Sequence, residues 1–375
     1  MGNTLAIPMA SQPLQRLEGL DIFRGLAVAG MIIVNTPGSG EHVWWPLDHA
    51  EWHGFTPTDL VFPAFLCAMG AALGLSFPRK VDAALWRRVA WRTAALIGIG
   101  WAWQLLVRPE LANLRVFGVF PRLGLCYGIA ATIAILTARR GADGRAELHL
   151  WAIAGAAGAA LIFYWAAMAL GGDFTRGGNL AGYVDRTLVG TQHIWRFGRD
   201  EAGNVVYDPE GLFSTIPALA NVLLGAVAAL TWKRDPARAL RWIAIGGVTL
   251  IAMGLAMHPW FPLNKKLWTS SFALLTSGLS ALLLVLCVLA GRAPAIRAAL
   301  TPFQVFGMNA ILGYILSLLI GLAGMRLGFQ RAGYEAALSV LRYPYLASFL
   351  YSLAVALLVF MALAPLHRRG IHLRL

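Results

Sequence analysis

Residues 270–290 read SSFALLTSGLSALLLVLCVLA, 21 consecutive positions without an acid, a lysine, an arginine or a histidine. A helix needs about 20 mostly apolar residues to cross a hydrocarbon core about 30 Å thick, and this run supplies them. It is continuous rather than alternating, which excludes the strand of a membrane barrel. Working outward, comparable runs lie at about 20–36, 57–77, 89–107, 117–137, 150–170, 212–232, 240–258, 303–323 and 344–365. The chain of 375 residues is 58% apolar and 13% charged, against about 25% charged in ordinary soluble domains. Mean hydropathy is +0.64. So few charges cannot clothe a soluble globule, and so much apolar matter excludes disorder. The expected fold is all-α: a polytopic integral membrane protein of about ten transmembrane helices, forming a single domain over 1–375.

The net charge of +13 raises nucleic acid as a partner, and the placement of the charges answers it. With the N-terminus placed inside, the inner segments carry 18 basic and five acidic residues, whereas the outer segments carry 12 of each. That is the positive-inside bias of short cytoplasmic loops. Both termini are expected in the cytoplasm, with the lipid bilayer as partner and no nucleic acid. Three cysteines, Cys67, Cys126 and Cys287, lie within apolar runs and are expected to pack as free thiols. No cleavable leader is read at the start, so the first apolar helix is expected to stay.

Two outer segments concentrate polar chemistry. The first, about 36–56, holds His42, His49, His53, Glu41, Asp48, Glu51, Trp44, Trp45 and Trp52. Imidazole suits proton transfer near neutral pH. His49 and His53 stand four apart, but this is not HExxH and Gly54 and Pro57 interrupt a helix, so no metal is expected. Asp59 begins the second span, where a carboxylate suits the helix dipole, and Asn35 ends the first span as an ordinary cap would. Asp21 and Arg24, three apart inside the first span, can pair. The second outer segment, about 171–211, is long for a connection without helices of its own. Its Asp185, Arg186, His193, Asp208 and Glu210, with Asn264 and Lys265 later, suit sugar hydroxyls as well as they suit salt bridges that pack a loop. Asn309 in the ninth span suits a bond between helices.

The stretches RLEGLDIFRGLAVAGMIIVN (16–35) and HAEWHGFTPTDLVFPAFLCAMG (49–70) together resemble the heparan-alpha-glucosaminide N-acetyltransferase family and its bacterial relatives. Colinear matches follow: LRVFGVFPRLGLCY (114–127), YVDRTLVGTQHIW (183–195), YDPEGLFSTIPALANVLLG (207–225), NKKLWTSSFALLTSG (264–278) and FGMNAILGY (306–314). Pro121 stands where relatives often carry glutamine. The resemblance implies transfer of acetyl from cytosolic acetyl-CoA, a cosubstrate, to the amino group of glucosamine or a glucosamine-terminated glycan outside the cytoplasm. It places the family's active-site histidine on His49 and its catalytic asparagine on Asn35.

Acetyl transfer from a thioester to an amine needs a base, an oxyanion donor and a seat for CoA phosphates. His49 serves as base or as nucleophile, with direct attack preferred over an acetyl-histidine relay, and Asn35 serves as oxyanion donor or orients His49. Asp59, Trp52, Asp185, Arg186, His193, Asp208, Glu210, Asn264 and Lys265 are candidates for the acceptor. Arg79, Lys80, Arg122, Arg139 and Arg140 are candidates for the CoA phosphates, although the positive-inside rule accounts for inner basic residues by itself. A pantetheine arm cannot cross the whole core, so a deep cavity among the helices is expected. The implied location is a bacterial inner membrane, and a homodimer is open. The other readings are O-acetylation of an envelope glycan and transport of amino sugars or small organic ions.

Overall fold

The computed structural model describes residues 18–78, 80–141 and 144–372. Within them the chain forms thirteen α-helices and one two-residue ladder, Arg139–Arg140 against Ala146–Glu147. Seven helices are long and apolar enough to cross a membrane. They are α2 (Val61–Ser76, entered through a tight turn at Pro57–Leu60), α4 (Val119–Thr137), α5 (Leu150–Leu170), α7 (Thr215–Arg234), α8 (Pro236–Met257), α9 (Ser270–Ala290) and α13 (Pro344–Arg368). α1 (Glu18–Asn35) and α3 (Ala83–Val107) occupy the first and third expected spans. α1 is diluted by Glu18, Asp21 and Arg24, and α3 by Arg87, Arg88, Arg92 and Gln104.

The expected ninth span, 303–323, is not one helix. α10 (Pro294–Met308) and α11 (Ala310–Arg326) meet at a bend of 83°. Asn309 between them leaves the helical region at φ −124°, ψ 43°, and Pro302 lies within α10. The bent pair is compatible with one broken crossing, which brings the crossings by length and composition to eight. Two short helices complete the set, α6 (Leu180–Val189) in the second long loop and α12 (Phe329–Leu341) before α13.

Apolar lipid gives helices little hydrophobic reason to associate, so close backbone approach and dispersion hold them together. Glycine supplies that approach. A Cβ on Gly70 of α2 would stand 1.7 Å from the Val222 carbonyl oxygen of α7, and one on Gly225 of α7 would stand 2.1 Å from that of Cys67. The α1–α10 crossing is built the same way, by Gly25 under Phe303 O and Gly307 under Asp21 O. The shared core runs through α1, α2, α4, α7 and α9, and the three cysteines are free and buried in it. At one end of this bundle the loops 36–60, 108–118, 171–214 and 258–269 come together. Lys80, Arg139 and Arg140 lie at the opposite ends of their helices, while Arg79 lies outside the described residues.

Candidate active site

The loop before α2 carries its chemistry because one carboxylate holds it. Asp59 is fully buried and stands at the third residue of the Pro57–Leu60 turn. Its Oδ2 accepts from Thr56 N at 3.0 Å and Ala50 N at 3.3 Å. Thr56 and Asp59 thus form the reciprocal cap expected of a helix entrance. The other oxygen, Oδ1, lies 2.7 Å from His49 Nδ1. One residue therefore caps the span and orients the imidazole. With Asp59 ionised, Nδ1–H donates and the lone pair is left on Nε2.

The loop between α8 and α9 brings a cation to the same ring. Lys265 Nζ lies 2.9 Å from each His49 nitrogen and 3.8 Å from Asp59 Oδ1. This turn is built rather than incidental. Trp268 is held at φ 52°, in the left-handed region that costs a bulky residue energy. Its indole is fully buried and donates to Asn221 Oδ1 at 2.8 Å. Asn264, also fully buried, accepts from Leu267 N at 2.8 Å. The two loops are pinned to each other. Gly54, at φ 119°, donates its N–H to Leu263 O at 2.8 Å, Lys266 Nζ bonds Glu51 O, and Asn264 Nδ2 lies 3.3 Å from His53 Nδ1. His49 and His53 thus face different partners, and among the described residues no group of three His, Cys, Asp or Glu is placed to hold a metal.

Burial is the main influence on His49 and holds it below the ordinary imidazole value. The Asp59 hydrogen bond opposes this and neighbouring Lys265 adds to it. Burial likewise pushes the Lys265 ammonium below the usual lysine range, against the pull of Asp59 and Glu210. His49 is therefore favoured as a neutral base in neutral water.

The second loop is clamped by the charges that sequence reading offered to an acceptor. Asp208 and Glu210 both hold Arg115, whose Nη2 stands 2.5 Å from an oxygen of each. Arg115 is the residue that reading passed over, since only the fold shows that it is enclosed by two carboxylates. Asp185 accepts from Leu212 N at 2.9 Å and Phe213 N at 3.3 Å. Burial, reinforced by Asp208, raises its pKa to about 7. Arg186 bonds Val206 O, and His193 Nδ1 meets Leu114 O at 2.8 Å. Trp52 donates to Phe174 O at 2.8 Å and packs edge-on against Tyr207.

Asn35 and Arg122 both lie apart from the Asp59–His49–Lys265 contacts. Asn35 is exposed at the last position of α1, and no hydrogen bond joins it to His49 among the described residues. Arg122 is fully buried at the loop-rich end of α4, far from the ends that carry Lys80, Arg139 and Arg140. Its guanidinium carbon lies 4.9 Å over the Trp268 ring and Nη2 donates to Gly211 O at 3.0 Å. Its Nε and Nη1 have no hydrogen-bond partner among the described residues. A cavity of about 780 Å³ lies not at His49 but in the neighbouring loops, walled by Arg108, Arg115, Trp195, Arg196 and Phe197. Trp195 reaches the His49 loop through Tyr207 and Trp52 at ring separations of 6.2 and 5.0 Å.

Residues 16–252 match the family model described as heparan-alpha-glucosaminide N-acetyltransferase, catalytic. The chain is 29% identical to the human heparan-alpha-glucosaminide N-acetyltransferase, over 80% of this chain and 52% of that protein. It is 28% identical to the mouse protein of the same name, over 80% and 53%. The chain thus spans about half the length of the curated relatives it matches.

Proposed function

Since this chain belongs to the heparan-alpha-glucosaminide N-acetyltransferase family, we propose that it is a membrane-embedded acetyltransferase. It takes acetyl from cytosolic acetyl-CoA and delivers it to the amino group of glucosamine, or of a glucosamine-terminated glycan, across the membrane. The observation that carries this reading is the Asp59–His49–Lys265 chain at 2.7 and 2.9 Å. It gathers an oriented imidazole base and a cation at the loop-rich end of a helical bundle. On this reading α1, α3 and the bent α10–α11 pair also cross, for ten crossings with both termini on the side of Lys80, Arg139 and Arg140. Charge asymmetry supports assigning that side to the cytoplasm of a bacterial inner membrane.

The acceptor amine attacks the thioester carbonyl and passes a proton to His49 Nε2, while Asp59 keeps the ring in the required tautomer. Arg122, whose Nε and Nη1 are uncommitted and whose guanidinium lies over the Trp268 ring, offers donors to the acyl carbonyl. Below Trp268 the interior stays polar through Asn221, Thr276, Ser277 and Ser280, which suits the amides of a pantetheine arm reaching up from the cytosolic side. Lys80, Arg139 and Arg140 offer positive charge to CoA phosphates at that side. The cavity at Trp195 favours acceptors longer than one sugar.

The test is acetylation of glucosamine by the purified protein with labelled acetyl-CoA. Transfer that is lost in H49A supports the reading. Uptake of the sugar into liposomes without acetyl-CoA would support transport instead, and product carrying acetyl on oxygen would indicate O-acetylation.

A further inference from the structure

Amide formation leaves a proton to be placed. The acceptor nitrogen loses one proton as it bonds to the acetyl carbon, and the departing sulfur of CoA must gain one. His49 accounts for the first, and the second needs a donor that His49 can recharge. One side chain meets that requirement by position. Lys265 Nζ lies 2.9 Å from His49 Nε2, is fixed from behind by the Asn264–Trp268 turn, and is a cation with three rotatable N–H groups.

We propose that Lys265 is the general acid of the reaction, giving its proton to the leaving thiolate and being reprotonated directly by His49. The proposal rests on the acetyltransferase reading above. In the resting site Lys265 Nζ stands 2.9 Å from both ring nitrogens, off the axis of the Nε2 lone pair, which is left for the acceptor amine. The amine then bonds to the acetyl carbon and yields its proton to Nε2. The carbon–sulfur bond breaks with its electron pair on sulfur, which takes a proton from Nζ. The imidazolium returns its proton to the lysine amine across the 2.9 Å contact, and both groups end as they began. The charges facing this pair are Asp48 and Asp59 from the His49 loop, Lys266 from the same turn and Glu210 from the second loop. Burial lowers the affinity of Lys265 for its proton, the direction that suits a general acid.

The test compares wild type with K265R, which keeps the cation but does not give up a proton. Two donors are used, acetyl-CoA and S-phenyl thioacetate, whose thiol leaves readily as the anion. With acetyl-CoA, kcat should fall about 10²-fold or more, the usual worth of a general acid. With S-phenyl thioacetate, the His49-dependent rate should stay close to wild type. K265M should move the acid limb of the pH profile upward, because the charge that depresses His49 is gone. Equal losses with both donors, or none with either, would overturn the proposal. If K265R does not fold, wild type alone decides: an alkaline limb should appear with acetyl-CoA and vanish with S-phenyl thioacetate, and the same limb with both donors refutes it. Should wild type fail to acetylate glucosamine, the acetyltransferase reading itself falls. Should wild type work, H49A fail and K265R match wild type, only the role of Lys265 falls.

Discussion

Replacing Asp59 by asparagine separates the two tasks that the carboxylate performs. Oδ2 caps the entrance to α2 by accepting from Thr56 N and Ala50 N at 3.0 and 3.3 Å, and the amide oxygen of asparagine can still do this. Oδ1 accepts from His49 Nδ1 at 2.7 Å, whereas the asparagine NH2 would donate there. The imidazole must then carry its proton on Nε2, so the lone pair needed for the amine disappears. A lost hydrogen bond to a charged group is worth about 1.5–3 kcal/mol, roughly 10–150-fold by itself. Removing the base altogether brings the expected fall in kcat to about 10²–10⁴. Because the cap is retained, the unfolding midpoint should move little, and KM for acetyl-CoA should stay near wild type. Without the Asp59 charge, which opposes the depression of His49, any residual activity should keep its acid limb at lower pH than wild type. The assay is thiol release from acetyl-CoA in the presence of glucosamine, across pH, in detergent. D59N activity within about threefold of wild type, a gap of under 1 kcal/mol, would refute the reasoning and reduce Asp59 to a helix cap.

Asp185 has a folded pKa near 7, above its ordinary value of 3.8, so it favours the folded state most fully below about pH 4. That contribution is lost as the pH rises through 7, and D185N should flatten the dependence of the unfolding midpoint between pH 5 and pH 8. G211A should lower the midpoint, because its Cβ would stand 1.7 Å from Asp185 Oδ2, an overpacking worth about 1–3 kcal/mol. The loss should shrink in a D185A background, and an unchanged loss would show that the clash lies elsewhere. W195A should raise KM for a glucosamine-terminated oligosaccharide by about 2–10-fold, the worth of an aromatic contact. Free glucosamine should be unaffected, and equal effects on both would separate the cavity from the acceptor.

Most spans were legible because a membrane crossing declares itself as an uninterrupted apolar run. Residues 150–170 and 270–290 are helices at the expected bounds. The bend at Asn309 was not legible, since the run continues through it and only the close seating of Gly307 on α1 sets α10 apart. α6 and α12 escaped for the opposite reason: they are 10 and 13 residues long, too short to span and with no long apolar stretch. In the site, the resemblance singled out His49 and the start of a span singled out Asp59, but the hydrogen bond between them was not read from the sequence. Lys265 is 216 residues from His49, and no local pattern shows that two loops meet. The same limit explains Asp185, Asp208 and Glu210. A carboxylate in a polar loop reads equally as a sugar ligand or a clamp until its partners are seen.

The central claim is that the imidazole held by Asp59 is the base for direct transfer of acetyl from acetyl-CoA to an amino sugar. It is tested most directly by incubating purified protein with labelled acetyl-CoA and glucosamine, and identifying the product by mass. The account predicts N-acetylglucosamine from wild type and none above background from H49A, with the variant still folded. Undiminished N-acetylglucosamine from H49A, or no acetylated sugar from a folded wild type, would contradict it.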